Sequence, residues 1–134
     1  MYHLETFIMK NDQKTILVIE DEDFISGLIA KSLREEGYNV IVTSDYKSSI
    51  KVIDTAIIDL IVSDVMLPYT GGLDIAEYVK NDPKNKDIPV ILVTGMDKDV
   101  ISTTAINVTA ILSKPFDMLQ LVDLVNSSLK KKHA

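Results

Sequence analysis

Polar residues at four places in this chain stand where they could do chemistry together. Short apolar runs end in Glu20-Asp21, in Asp64, in Thr94 and in Ser113-Lys114, so acids, a hydroxyl and an amine each appear where a run gives way to a loop. Carboxylates gathered a few Å apart repel strongly in a medium less polar than water, so a positive partner must join them. Lys114 supplies one charge. The remaining negative balance, presented only through oxygen, suits a hard divalent ion such as Mg2+ that keeps several waters. With those cations in place, a carboxylate could attack phosphorus while the charge on the equatorial oxygens is neutralised, and Thr94 could donate to one of them.

Taken singly, each residue has a plainer explanation. Glu20, Asp21 and Asp23 would suit the positive end of a helix dipole, and Asp64 a turn before Pro68 and Gly71-Gly72. Thr94 and Lys114 alone carry no signal. Their joint placement at four run ends is what points to a site.

The elements that must position them follow from periodicity. Five β-branched apolar runs, Thr15 to Ile19, Tyr38 to Thr43, Ile57 to Val62, Val90 to Val93 and Ala110 to Leu112, alternate with stretches of helical spacing. Four runs are nearly continuous, as in a parallel sheet covered on both faces; the second suits an edge. The first helix is read from Phe24, Ile25, Leu28, Ile29 and Leu33, with Asp23 as its cap and Gly37 at its end. A second runs from Ser44 or Asp45 to Ala56, and a third from Leu73 to Asn81, closed by Asp82-Pro83. The fourth is weak, since Val100, Ile101, Thr103 and Thr104 are β-branched. The last spans Asp117 to Lys131, with Leu119, Val122, Val125 and Leu129 inward and Lys130 to Lys132 at its negative end. Five such units predict an α/β fold, a right-handed (βα)5 parallel sheet. In such sheets the carboxyl ends of the strands converge on one crevice.

Composition excludes several other functions. The 134 residues are one domain's worth, 46% apolar, with a formal charge of −6 that disfavours contact with nucleic acid or acidic lipid. No cysteine is present, so disulfides, thiolate metal sites and cysteine nucleophiles are ruled out. His3 and His133 lie at the two ends of the chain, poor places for catalytic or metal-binding groups. None of the apolar runs approaches the roughly 20 residues that span a bilayer, and residues 1–14 carry no secretory pattern, so a cytoplasmic protein is expected.

The pattern resembles the receiver domain of response regulators in two-component signalling. Ile16 to Glu22 is similar to that family's acidic segment, Val62 to Pro68 to its phosphoacceptor segment, Pro89 to Gly95 to its switch-hydroxyl segment, and Leu112 to Phe116 to its lysine segment. The resemblance implies a flavodoxin-like doubly wound fold with strand order 2-1-3-4-5. It implies phosphorylation of Asp64 by a sensor histidine kinase or histidine phosphotransfer protein. Mg2+ would be held by Asp21 and Asp64, by Glu20 through water and by the backbone carbonyl of Met66. Thr94 and Lys114 would bind the phosphoryl group, and Lys114-Pro115 resembles a bond that is often cis. The chain would be a switch with little enzymatic character, meeting a downstream protein, or a second copy of itself, through the fourth helix, fifth strand and fifth helix.

Two departures stand out. Ile111 occupies the position where most receivers carry Tyr or Phe, and Asn107-Val108 replace the usual Gly-Ala, which shifts the expected relay to the fourth helix. Met66 and Met96, two residues after Asp64 and Thr94, cannot orient an attacking water, so a long-lived phosphorylated state is expected. The expected organisation is a flexible extension over residues 1–14, a receiver over 15–131 and a tail over 132–134, with no effector domain. The competing readings are a degenerate receiver that docks without phosphorylation and a small flavin- or nucleotide-binding α/β protein. Acids in place of glycines in the first strand-helix turn weigh against the latter.

Overall fold

In the computed structural model, which describes residues 13–64, 72–95 and 108–130, five strands form one parallel sheet in the order β2-β1-β3-β4-β5. The strands are β1 (Thr15–Ile19), β2 (Asn39–Thr43), β3 (Leu60–Asp64), β4 (Val90–Thr94) and β5 (Ala110–Ser113). Four helices are described: α1 (Asp23–Glu35), α2 (Tyr46–Thr55), α3 (Gly72–Asn81) and α4 (Met118–Lys130). The last is the fifth helix of the sequence reading, because the stretch around Val100 to Thr104 lies outside the described residues. So do Met66, Met96, residues 1–12 and residues 131–134.

Side chains alternate across the sheet and build two cores. On one face Ile16, Val18, Leu60, Val62, Ile91 and Val93 pack with Ile29 and Leu33 of α1 and Leu121, Val125 and Leu129 of α4. On the other, Leu17, Ile19, Ile61, Val90 and Leu92 pack with Ile53 of α2 and Ile75 and Val79 of α3. Covering both faces explains the nearly unbroken apolar runs of β1, β3 and β4, and β2 is the expected edge. Each fully buried leucine or isoleucine contributes about 1.5–3 kcal/mol of transfer free energy.

Local signals set the element ends. Asp45 caps α2 by accepting the Ser48 amide at 2.8 Å. At the end of α1, Gly37 takes φ 99°; its amide donates to the Arg34 carbonyl at 3.0 Å and that of Tyr38 to the Leu33 carbonyl at 3.2 Å, a Schellman closure.

Several boundaries differ from the sequence expectation. The third strand starts at Leu60 instead of Ile57 and runs on to Asp64, whose backbone is in register with Val93. Ile57 is 86% exposed because it follows the end of α2 and has no strand beside it, and pairing begins only once Asp59 meets Thr15. Glu22, not Asp23, occupies the cap of α1, and it makes no side-chain capping bond. Phe24 and Leu28 are exposed, since the positions facing the sheet are taken by Ser26, Ile29, Ala30 and Leu33. Likewise Leu119 is 65% exposed and Leu121 packs inward in its place. In both helices the apolar stripe is wider than the face the sheet can cover.

Candidate phosphoacceptor site

Parallel register brings the polar residues of four segments to one end of the sheet. Glu20 follows β1 directly, and its amide donates to the Thr43 carbonyl of β2 at 3.0 Å. Asp64 and Thr94 are the last residues of β3 and β4. Lys114 follows β5, where its amide donates to the Thr94 carbonyl at 2.6 Å, and the Lys114-Pro115 bond is cis. Glu20, Asp64 and Thr94 are buried, Asp21 is exposed, and the Lys114 side chain is mostly covered.

The ammonium of Lys114 lies 3.3 Å from Glu20 Oε1 and 3.3 Å from Asp64 Oδ2, linking residues 50 and 94 positions away in the chain. Glu20 Oε2 accepts the Glu22 amide at 3.2 Å. One oxygen from each of Glu20, Asp21 and Asp64 lies within 4.8 Å of the other two. Three carboxylates thus face one ammonium, an excess of negative charge in a partly dry pocket. Burial pushes the Glu20 carboxyl up to about 7; the Asp64 charge adds to the rise, while the Glu22 amide and Lys114 oppose it. Partial burial works against the charged form of Lys114, but the Asp64 and Glu20 carboxylates outweigh it and hold its pKa above the ordinary value.

The donor set fits a hard cation. It is all oxygen, it carries surplus negative charge, and its spacing lets one ion touch all three acids directly or through water. Of the residues singled out in the sequence, Glu20, Asp21, Asp64, Thr94 and Lys114 come together at this end. Ile111 does not join them: it lies half-buried in β5 against the core shared with α2 and α3.

Sequence reasoning missed two features. Glu20 pairs with Lys114, a contact that no spacing along the chain could announce. Beside Lys114, a cavity of about 390 Å3 is lined by Ile25, Leu28, Pro115, Phe116 and Met118. The helical spacing of Ile25 and Leu28 is the local signal for that surface, and the same spacing equally suits a core face.

Residues 16–126 match the family model of the response regulator receiver domain. The chain belongs to the response regulator receiver family. The receiver is 33% identical over 118 residues to the regulatory protein VanR of Enterococcus faecium, an alignment that covers 87% of this chain and 50% of that protein. It is 32% identical over 120 residues to the phosphate regulon transcriptional regulatory protein PhoB of Pseudomonas aeruginosa, covering 88% and 52%. The chain therefore spans about half the length of these curated relatives.

Among solved structures, the receiver domain of the Francisella response regulator 1452 superposes with TM-score 0.82 at 27% identity, covering 90% of this chain and 99% of that one. The response regulator TrrA of Thermotoga maritima, solved in complex with Mg2+-BeF, superposes with TM-score 0.79 at 27% identity, covering 87% and 100%. Receiver domains are signalling switches that interact with histidine kinases and downstream effectors. No helix among the described residues is long and apolar enough to cross a membrane.

Proposed function

We propose that this receiver, over residues 15–131, is a cytoplasmic switch that takes a phosphoryl group onto Asp64 from a phosphohistidine donor, either a sensor histidine kinase or a histidine phosphotransfer protein. The observation that carries this reading is a buried Asp64 with the Lys114 ammonium at 3.3 Å and two further carboxylates alongside. In the transfer a carboxylate oxygen of Asp64 bonds to phosphorus as the phosphorus–nitrogen bond breaks, and the leaving imidazole keeps the electron pair and takes up a proton. Lys114 meets the charge on the phosphoryl oxygens, and the Thr94 hydroxyl donates to one of them. Mg2+, when bound, would add positive charge there, held by Asp21 and Asp64, by Glu20 through water and by the Met66 carbonyl. A donor meets the rim where exposed Phe24 and Leu28 and the cavity beside Lys114 offer apolar area.

The phosphorylated form then shifts a two-state equilibrium that changes protein contacts on the side of β5 and α4. Ile111 has neither ring nor hydroxyl, so the relay falls to the stretch around Val100 to Thr104, outside the described residues. Met66 and Met96 leave an attacking water unoriented and give a long-lived phosphoaspartate; Met66→Asn speeds phosphate loss, and an unchanged rate discards this part.

Incubation with acetyl phosphate and Mg2+ tests the whole reading. Intact-mass measurement should show one phosphoryl group on the wild type and none on Asp64→Ala; equal labelling of both would overturn it.

A further inference from the structure

A groove of about 650 Å3 runs between α2 and α3, on the sheet face opposite α1 and α4, and shares no residue with the pocket around Asp64. Its walls combine two kinds of group. Tyr46 of α2 and Tyr78 of α3 are half-buried and pack on the core beneath, so their rings are held in place. The Tyr78 hydroxyl donates to Asp54 Oδ1 at 2.5 Å, which ties the ring of one helix to the other helix. Asp74, Glu77 and Asp82 supply three carboxylates, and no lysine or arginine lines the groove beside them. Among the described residues, none of these three acids takes part in an ion pair. Asp74, Glu77, Tyr78 and Asn81 recur at three- and four-residue spacing and so share one side of α3. From first to last that side covers about 10 Å of helix. A lone ammonium would use only part of it. Two side chains on one face of an extended segment, about 7 Å apart, fit within it together.

We propose that the groove between α2 and α3 is a docking site for an arginine-bearing basic segment of a partner protein. Its guanidinium planes stack on the Tyr46 and Tyr78 rings, and their N–H groups are shared among Asp74, Glu77 and Asp82. The carboxylates select the partner's sign. The anchored rings select arginine over lysine, because a planar, weakly hydrated guanidinium stacks on an aromatic face while still offering paired donors to a carboxylate. The groove uses none of the groups that would receive a phosphoryl group, so this contact brings a partner to the domain independently of labelling at Asp64.

The test titrates the full chain, labelled with nitrogen-15, with a capped synthetic peptide of three arginines alternating with alanines, and follows the backbone amide chemical shifts. Shifts should centre on Tyr46 and residues 74–82, and the affinity should fall about tenfold between roughly 50 and 500 mM NaCl. The lysine version of the peptide should bind about fivefold more weakly, and the glutamine version more weakly still. Glu77→Lys should weaken the arginine peptide about tenfold by reversing one wall charge; Asp74→Asn takes its place if that variant loses its native circular dichroism. Tyr78→Leu should cost the arginine peptide about fivefold and leave the lysine peptide nearly unchanged, a split that loss of packing alone would not produce. Asp64→Ala should bind as the wild type does. No binding, shifts confined to Glu20, Asp21 and Asp64, an arginine peptide held no better than its lysine or glutamine version, or a charge variant without effect overturns the proposal. Spermidine binding as tightly as the arginine peptide would make a small polycation the occupant and overturn it too.

Discussion

The two ends of the sheet satisfy their polar groups in opposite ways. At the amino end the bonds close on themselves. The Thr15 amide donates to Asp59 Oδ2 at 2.8 Å and the Asp59 amide donates back to the Thr15 carbonyl at 2.8 Å. Val90 and Thr109 repeat the device, the Val90 amide donating to Thr109 Oγ1 at 3.2 Å and the Thr109 amide to the Val90 carbonyl at 2.8 Å. At the carboxyl end Glu20 and Asp64 share one lysine with Asp21 alongside, and charge is left over. Reciprocal pairs define strand starts and gather no surplus of like charges between β1 and β3 or between β4 and β5. A surplus of buried negative charge is a standing demand for a cation, and it marks the end of the sheet to which the proposed phosphoryl transfer is assigned.

Substitutions at the two ends should therefore separate function from stability. The largest effect is at Asp64: Asp64→Asn abolishes phosphoryl uptake while removing one of three repelling acids, so its metal-free melting temperature stays level or rises, as thermal unfolding in a chelator will show. A fall in stability with uptake retained would invert the comparison. Lys114→Met comes next, cutting the rate of labelling by acetyl phosphate about 10²–10³-fold, the scale for losing one charge-stabilising donor. It also lowers metal-free stability, because the buried acids lose their counter-ion.

A pH profile sharpens the contrast. The Glu20 carboxyl rises from 4.5 to about 7 on folding, so between those values the folded chain holds a proton that the unfolded chain has released. Its contribution to stability is fully present below 4.5 and is lost as pH rises through about 7, the reverse of the usual carboxylate. Melting temperature without metal should fall across that window and flatten in Glu20→Gln. At the amino end, Asp59→Ala should cost about 1–2 kcal/mol in denaturant unfolding, by orphaning the Thr15 amide, with labelling of Asp64 unchanged. Smallest is Asp45→Ala, which removes the α2 cap at about 1 kcal/mol and again spares labelling.

Much of the fold is legible along the chain because it is written in periods of two and of 3.6. The runs of β1 and β4, the α2 cap at Asp45 and the glycine ending α1 are all local signals, and each appears in the structure where the chain places it. Local signals mislead where two elements compete to define an edge. Ile57 looks like strand but has no partner, and Phe24, Leu28 and Leu119 look like core but lie on helix flanks that the sheet does not reach.

The candidate site divides along the same line. Residue types at run ends were enough to collect Glu20, Asp21, Asp64, Thr94 and Lys114 in advance, because a parallel sheet must deliver the ends of its strands to one side. Which of those acids the lysine holds, and at what distance, depends on side-chain reach across a gap of 94 residues for Glu20 and 50 for Asp64, and on how deeply each is buried. Charge, periodicity and punctuation belong to the chain itself; pairing, reach and desolvation exist only once strands far apart in sequence lie about 5 Å apart in space.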